Sequence, residues 1–376
     1  MLNYIRKISS AFGQTQLPAF ELDRATVMLP RLPNAPDWGK LSKVSNAVAF
    51  TGWQLAHAVI KADFLDNRNA TLPGIGFLLQ SHELLDFKKG GMTLSAGAIN
   101  ALSDISQSSL TGRIGQGLTI LFAQSRGYMF SGHLRSYLLD NGMKTADAKG
   151  KQLPMADFLF ADAAGSSAIV ESKASFSQKV NDPTAIKTVL KRALENQVEP
   201  WMTRLNPPPA KGYVVYACLR EATPGAHSSA LIFVDPPASD GPRDIQNSPV
   251  QLRRQNYAAW LAAMNLRRPS LRLREVESAG KPAPFVFNIV SLEGREFAVG
   301  GRPGCGPVLG LDVAAMKAIG QATSGDETAL AAYRFDQFDA VAQQSSGRGR
   351  YSVFPDGSLL GSIAGAALRG TRRFEL

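Results

Sequence analysis

Two apolar runs separated by a short Gly/Ser turn predict a β-hairpin near the middle of the chain. The runs are Leu153-Pro-Met-Ala-Asp-Phe-Leu-Phe-Ala-Asp162 and Ala168-Ile-Val-Glu-Ser-Lys-Ala-Ser175. Because side chains alternate along a strand, Glu171 and Lys173 are expected to share one face of the sheet. A tight turn at 163–167 would bring Asp157, where the first strand begins, close to Glu171.

The segments around this hairpin predict an α/β fold. Residues 112–127 have a helical pattern that ends at a glycine, and residues 183–201 form an amphipathic helix. Two short apolar runs, 212–219 and 229–235, are typical of buried strands. The order helix, strand, strand, helix, strand, strand indicates a mixed central sheet flanked by helices.

The two ends of the chain have weaker patterns. Residues 1–40 are rich in proline dipeptides and predict irregular extended chain, whereas the apolar spacing in 41–65 predicts a helix. We therefore divide the chain into a partly helical N-terminal extension (1–100), a core (101–240) and a C-terminal α+β region (241–376). The C-terminal region is predicted to contain helices at 250–266, 314–322 and 327–343, strands at 285–290 and 296–299, and a hairpin or loop at 351–360.

Composition favours a soluble protein with a polyanionic partner. Of the 376 residues, 44% are hydrophobic and 19% are charged, which suffices for a real core. The net charge of +10 favours nucleic acid first and an acidic membrane second. Cys218 and Cys305 are too few for a disulfide framework, and neither lies in a CxxC motif. With no signal-peptide pattern and no apolar run of about 18 residues, we expect a cytoplasmic protein without a membrane span.

The hairpin also carries the candidate chemistry. Two carboxylates and one ammonium on rigid strands are what a hard divalent cation and an activated water require. Pro154-Met-Ala-Asp157, followed 14 residues later by Glu171-Ser-Lys173, resembles the PD-(D/E)xK nuclease superfamily. The resemblance covers about 110–235 and implies a restriction-endonuclease-like core with N- and C-terminal additions.

That resemblance implies a Mg²⁺-dependent endonuclease that hydrolyses DNA, with Mn²⁺ as a substitute ion. Asp157 and Glu171 would be metal ligands, and Lys173 would position the attacking water. Antiviral defence against foreign DNA is the biological setting that it suggests. In many relatives the preceding helix supplies a third acid, whereas this chain has Gln116 there, whose amide oxygen is a weaker metal ligand.

The helix that follows the hairpin is the expected DNA-binding element. Its basic residues would hold the phosphate backbone near the site. Gln197-Val-Glu-Pro-Trp201 is similar to a Gln-x-x-x-Tyr element that contacts DNA in some relatives. The expected nucleic-acid contacts are Lys187, Lys191, Arg192 and Gln197.

Other interpretations of the same residues stay open. Glu171 and Lys173 also fit an exposed strand edge, Asp157 fits a turn residue, and Trp201 fits a core position. Gln116 in place of an acid favours a catalytically weak, nuclease-like subunit that binds nucleic acid or assembles with partner proteins. A basic scaffold for another protein, or a homo-oligomer, is a further alternative.

Overall fold

The computed structural model describes most of the chain, in ranges separated by gaps. No helix within these ranges is long and apolar enough to cross a membrane. The helix expected at 327–343 ends at Ala332 within these ranges, whereas residues 336–343 and Cys305 lie outside them. The described residues are 14–30, 41–42, 45–65, 84–88, 91–146, 149–176, 183–222, 229–238, 240–274, 281–301, 307–335, 350–363 and 367–376.

The strands are numbered in chain order. Those of the central sheet and its small neighbours are β1 Gln14–Leu22, β2 Ser45–Thr51, β3 Leu85–Lys88, β4 Gly91–Leu94, β5 Phe130–His133, β6 Phe158–Ala161, β7 Ser167–Phe176, β8 Leu205–Asn206, β9 Lys211–Leu219, β10 Ala230–Val234 and β11 Ile245–Gln246. Those of the second sheet are β12 Pro284–Leu292, β13 Arg295–Val299, β14 Val308–Asp312, β15 Arg350–Val353, β16 Ser358–Ser362 and β17 Ala367–Glu375.

The helices are numbered in the same way. One of them changes its winding, because a π-helical turn, Leu194–Val198, joins the helix Pro183–Ala193 to the helix Glu199–Met202. The helices are α1 Arg24–Met28, α2 Gly52–Leu65, α3 Ala98–Ala101, α4 Asp104–Ser125, α5 Leu134–Asp140, α6 Pro183–Ala193, α7 Glu199–Met202, α8 Pro249–Ala263, α9 Arg267–Leu273, α10 Val313–Thr323 and α11 Thr328–Ala332.

A mixed sheet flanked by helices organises the described residues, as the sequence predicts. Its strand order is β2-β1-β10-β9-β7-β6-β5, with β7 parallel to β9 and β1 parallel to β10. Helix α4 packs on one face, where a Cβ at Gly115 would lie 2.5 Å from Ala174 Cβ. The helix formed by α6, the π turn and α7 packs on the other face, where a Cβ at Gly212 would lie 2.2 Å from Met202 Sδ.

The N-terminal segment differs from the prediction. The expected helix at 41–65 begins only at Gly52, because the residues before it form β2 and pair with β1. Val48 and Phe50 are buried while Ala47 and Ala49, which alternate with them, are exposed, which is a strand pattern. Likewise, the extended chain expected before residue 40 contains β1, which places part of the 1–100 extension inside the central sheet.

The C-terminal region contains a second, antiparallel sheet. Its order is β15-β16-β14-β13-β12-β17, and β12 and β13 confirm the strands predicted at 285–290 and 296–299. Of the two alternatives at 351–360, a hairpin or a loop, the structure has the hairpin, formed by β15 and β16. Helix α8 joins this region to the central sheet, since the Asn256 side chain accepts a hydrogen bond of 3.0 Å from the Ser131 N–H on β5.

A buried polar network connects helix α2, helix α8 and the β15–β16 turn. Lys61 and Asp356 form an ion pair in which the side chains are 1% and 0% exposed. Asp356 also accepts hydrogen bonds from Asn256 Nδ2 and from the backbone and hydroxyl of Ser358. Burial lowers the pKa of His57 well below its usual value, and its ring nitrogens lie within 3.1 Å of two serine hydroxyls. The network therefore joins residues that are about 300 positions apart in the sequence.

Candidate active site

The register of β6 and β7 places Asp157 opposite Glu171. Phe158 pairs with Val170 in this antiparallel hairpin, so the residue before Phe158 faces the residue after Val170. The backbone N–H of Asp157 donates a 3.0 Å hydrogen bond to Glu171 Oε2. In return, the backbone N–H of Ser172 donates one of 3.0 Å to Asp157 Oδ2. The two carboxylates are thus held together by the backbone itself.

Lys173 completes a group of three charged side chains. It lies two residues beyond Glu171 on the same face, and its ammonium donates to Glu171 Oε1. Glu171 is 1% exposed, whereas the Lys173 side chain is 32% exposed. The Lys173 side chain therefore connects the buried carboxylate with the solvent.

Ionisation of Glu171 is unfavourable in this group when no divalent cation is bound. Burial raises the pKa of Glu171 to about 8, and the Asp157 carboxylate acts in the same direction. The Lys173 ammonium offsets only part of this effect. The ionised form of Glu171 is therefore disfavoured in this environment. A divalent cation at this position would stabilise the ionised pair.

The donor set fits magnesium better than a metal that needs an all-protein cage. In the described part of the chain, no three His, Cys, Asp or Glu residues come close enough together to hold a metal ion. Mg²⁺ is commonly held by one or two carboxylates and keeps several waters or phosphate oxygens as its other ligands. A carboxylate also has about four lone-pair directions, so it can accept hydrogen bonds and bind an ion at the same time.

Gln116 is not brought to this group. Its helix, α4, packs on the face of Ser172 and Ala174, where Thr119 Oγ1 donates a 2.9 Å hydrogen bond to Ser172 Oγ. Glu171 and Lys173 alternate with those residues and point to the opposite face. Gln116 is half-buried. Its role as a metal ligand therefore stays a prediction that no contact supports.

The expected phosphate contacts on α6 separate into two groups. Lys187 is 7% exposed, and its ammonium donates to the Leu29 carbonyl, so it serves the contact between α6 and the N-terminal segment. Arg192 is exposed, and Lys191 makes only a loose 3.9 Å pair with Glu195 on the surface. Lys191 and Arg192 therefore remain open to solvent, whereas the Lys187 ammonium is hydrogen-bonded inside the protein.

Gln197 and Trp201 have a different environment from the one expected. Gln197 Nε2 donates a 3.1 Å hydrogen bond to the Met155 carbonyl, and Trp201 Nε1 donates one of 2.8 Å to the Pro154 carbonyl. Trp201 is 2% exposed, in agreement with the core alternative for this residue. Both side chains thus contact the segment that leads into Asp157. The four-residue spacing indicated that Gln197 and Trp201 act together, but it did not indicate which groups they contact.

Replacing Glu171 by glutamine is expected to stabilise the metal-free protein at high pH. Because folding raises the pKa of Glu171 from 4.5 to about 8, the folded state loses stability as the pH rises through this interval. Glutamine imitates the neutral carboxyl group. The variant should match the wild type near pH 5 and exceed its free energy of unfolding near pH 9, as urea denaturation in EDTA would measure.

The Asp244→Asn variant is the control with the opposite sign. A hydrogen bond from Arg204 lowers the pKa of this exposed carboxyl group, so its ionised form favours folding. Asp244→Asn should therefore be slightly destabilising near pH 9. Equal effects of Glu171→Gln at both pH values would show that burial does not penalise the ionised Glu171.

The charged group on the hairpin must be interpreted from its own geometry. No family model, curated protein or solved structure matches the chain.

Proposed function

We propose that this protein is a Mg²⁺-dependent nuclease that hydrolyses DNA phosphodiester bonds at Asp157, Glu171 and Lys173. The supporting observation is the pair of hydrogen bonds that fixes Asp157 against Glu171 and Ser172, with the Lys173 ammonium on the same face as Glu171. The hairpin also lies between a preceding helix and a following helix, in the order that the PD-(D/E)xK resemblance implies. A restriction-endonuclease-like core, and a role in defence against foreign DNA, belong to the same proposal.

Each of the three residues has a definite task in this reaction. Asp157 and Glu171 would hold the ion, and the Ser172 N–H keeps the Asp157 carboxylate turned toward it. When bound, Mg²⁺ supplies charge to the scissile phosphate and lowers the pKa of a water molecule. Lys173, at the solvent border, would hold that water or a phosphate oxygen in line for attack.

The substrate class follows from charge and exposure. The net charge of +10 favours a polyanion. On the helix after the hairpin, Arg192 is exposed and the Lys191 side chain is 43% exposed. These two side chains are suited to phosphate oxygens, which position a nucleic acid without reading its sequence. Lys187 is left out of this role because its ammonium is buried against Leu29.

A second candidate is a nuclease-like subunit that binds nucleic acid but cuts it weakly or not at all. It is favoured by the absence, within the described ranges, of a third His, Cys, Asp or Glu beside Asp157 and Glu171. DNA binding that falls steeply with salt, without any metal-dependent cutting, would support this candidate. A failure to bind DNA even at low salt would instead favour a protein partner.

Incubation with supercoiled plasmid tests the proposal directly. Nicked or linear DNA is expected with Mg²⁺ or Mn²⁺, and intact plasmid is expected in EDTA. Ca²⁺, which is larger and is held with longer bonds to oxygen, should permit binding but little cleavage. Intact plasmid with both Mg²⁺ and Mn²⁺, at protein concentrations that bind the DNA, would contradict the nuclease proposal.

A further inference from the structure

The chain that leads into Asp157 is not part of any strand. Residues 153–157 precede β6, and their backbone lies outside the ladder of the sheet. At one end the Leu153 N–H donates to the Thr145 carbonyl, and at the other end the Asp157 carbonyl accepts from the Leu134 N–H. Between these two bonds, the carbonyls of Pro154 and Met155 accept from side chains of the helix that follows the hairpin.

Two side chains of that helix therefore hold two consecutive carbonyls. Trp201 Nε1 contacts Pro154 O at 2.8 Å, and Gln197 Nε2 contacts Met155 O at 3.1 Å. Gln197 belongs to the π-helical turn and Trp201 to α7 directly after it. Such π turns within α-helices frequently occur at functional sites, because they change the direction of the side chains that follow.

This helix is a rigid support for the two donors. It approaches the sheet so closely at Gly212 that a Cβ there would lie 2.2 Å from Met202 Sδ and 2.9 Å from Val198 Cγ1. The Trp201 ring is itself packed under the Arg204 guanidinium, whose carbon lies 5.1 Å from the ring centroid. The indole N–H therefore has a fixed position relative to the strand that carries Glu171.

We infer that Gln197 and Trp201 are positioning residues that fix the backbone before Asp157 and so set the affinity of the acid pair for a divalent cation. They act through the carbonyls of Pro154 and Met155, which lie three and two residues before Asp157. The metal half of this inference rests on the proposed nuclease function, whereas the backbone half rests on hydrogen bonds that are independent of it. Gln197 is thereby assigned to the protein's own backbone rather than to DNA.

The test compares Trp201→Phe with Trp260→Phe. Each replacement removes one buried indole N–H that donates a 2.8 Å hydrogen bond to a backbone carbonyl, from Trp201 to Pro154 and from Trp260 to Gly310. Any general effect of losing such a bond is therefore matched. Gln197→Met, which keeps the side-chain length and removes the donor, is the second variant. Mn²⁺ affinity is measured from the electron paramagnetic resonance signal of the free ion.

Trp201→Phe and Gln197→Met are each expected to weaken Mn²⁺ binding about 10- to 100-fold, the usual effect of losing an outer contact of a metal site. Trp260→Phe should bind Mn²⁺ as the wild type does. Hydrogen exchange of the amides at 155–158 should be faster in the two former variants than in Trp260→Phe. If the wild type binds Mn²⁺ and Trp201→Phe binds it equally well, the inference is overturned while the nuclease proposal stands.

A wild-type protein that binds no metal ion would give a different set of results. If the wild type binds neither Mn²⁺ nor Mg²⁺, the nuclease proposal and the metal half of the inference are both overturned. Hydrogen exchange then decides the backbone half alone. Faster exchange at 155–158 in Trp201→Phe than in Trp260→Phe supports it, and equal exchange in the two variants rejects it.

Discussion

Replacing Lys173 by methionine is expected to slow Mg²⁺-dependent DNA cleavage about 100- to 1,000-fold, the typical effect of removing one group that stabilises developing charge or moves a proton. The ammonium is the positively charged group on the hairpin that touches Glu171 and also reaches solvent. Methionine keeps most of the side-chain volume and removes the charge. Initial rates of plasmid nicking, at saturating Mg²⁺ and with DNA in excess, would measure the effect.

Lys211→Met is the matched control. Lys211 begins the parallel neighbour of β7, is half exposed, and forms an ion pair of 2.5 Å with Asp235. The control removes the same charge from the same central sheet, so the long-range attraction for DNA changes equally in both variants. Cleavage by Lys211→Met should stay within about twofold of the wild type, because the Lys211 ammonium pairs with Asp235 and not with Glu171.

The two variants also separate the competing functions. A loss of cutting in Lys173→Met with unchanged DNA affinity would assign the ammonium to the chemical step. Equal cutting by both variants would contradict its catalytic role and leave Glu171 and Lys173 as an ordinary ion pair on a strand. A parallel loss of DNA affinity and cutting in Lys173→Met alone would assign the ammonium to phosphate binding rather than to the attacking water.

The acid pair could be predicted from sequence because it depends on local geometry. A two-residue period places Glu171 and Lys173 on one face, and a short turn fixes the register that brings Asp157 opposite. The contacts of Lys187 and Gln197 could not be predicted in the same way. Their partners, Leu29 and Met155, are 158 and 42 residues away, and only the packing of α6 and the π turn selects them.

The N-terminal strands β1 and β2 were not predicted, because their sequences also fit other local structures. Pro18 argued against a central strand, since proline has no N–H to donate to a ladder. In the structure, β1 pairs with β10 only from Ala19 onward, so Pro18 has a strand neighbour on one side alone. Similarly, the apolar residues near Val48 satisfy a helical spacing and an alternating one, and the pairing with β1 decides between them.

The contacts of the buried polar network could likewise not be predicted from local sequence patterns. Lys61 lies on a helix whose composition indicates only an apolar face, and Asp356 lies in a turn sequence that is typical of an exposed hairpin. Their contact becomes visible only once β15 and β16 pack against α2. The region from 241 onward is thereby attached to the rest of the protein through charged groups inside the core.

Replacing Asp356 by alanine is accordingly expected to destabilise the protein by about 3–5 kcal/mol, the usual cost of leaving a buried charge without its partner. Burial opposes ionisation of Asp356, but the Lys61 ammonium and the hydrogen bonds keep the pKa of its carboxyl group below the usual value. The variant would leave Lys61 charged and unpaired in the core, and would orphan Asn256 Nδ2 and the Ser358 N–H. Urea denaturation at neutral pH would measure the loss.

Two comparisons make this last expectation specific to the buried pair. Asp244→Ala breaks an exposed pair with Arg204 and should cost less than about 1 kcal/mol. Lys61→Met combined with Asp356→Leu removes both buried charges and should recover part of the stability that Asp356→Ala loses, because no charge is then left unpaired. If Asp356→Ala were no worse than Asp244→Ala, solvent must reach Lys61, and the β15–β16 turn would not be packed against α2 as the structure places it. Cooperative unfolding of both sheets in one transition would instead show that this network joins them energetically as well as spatially.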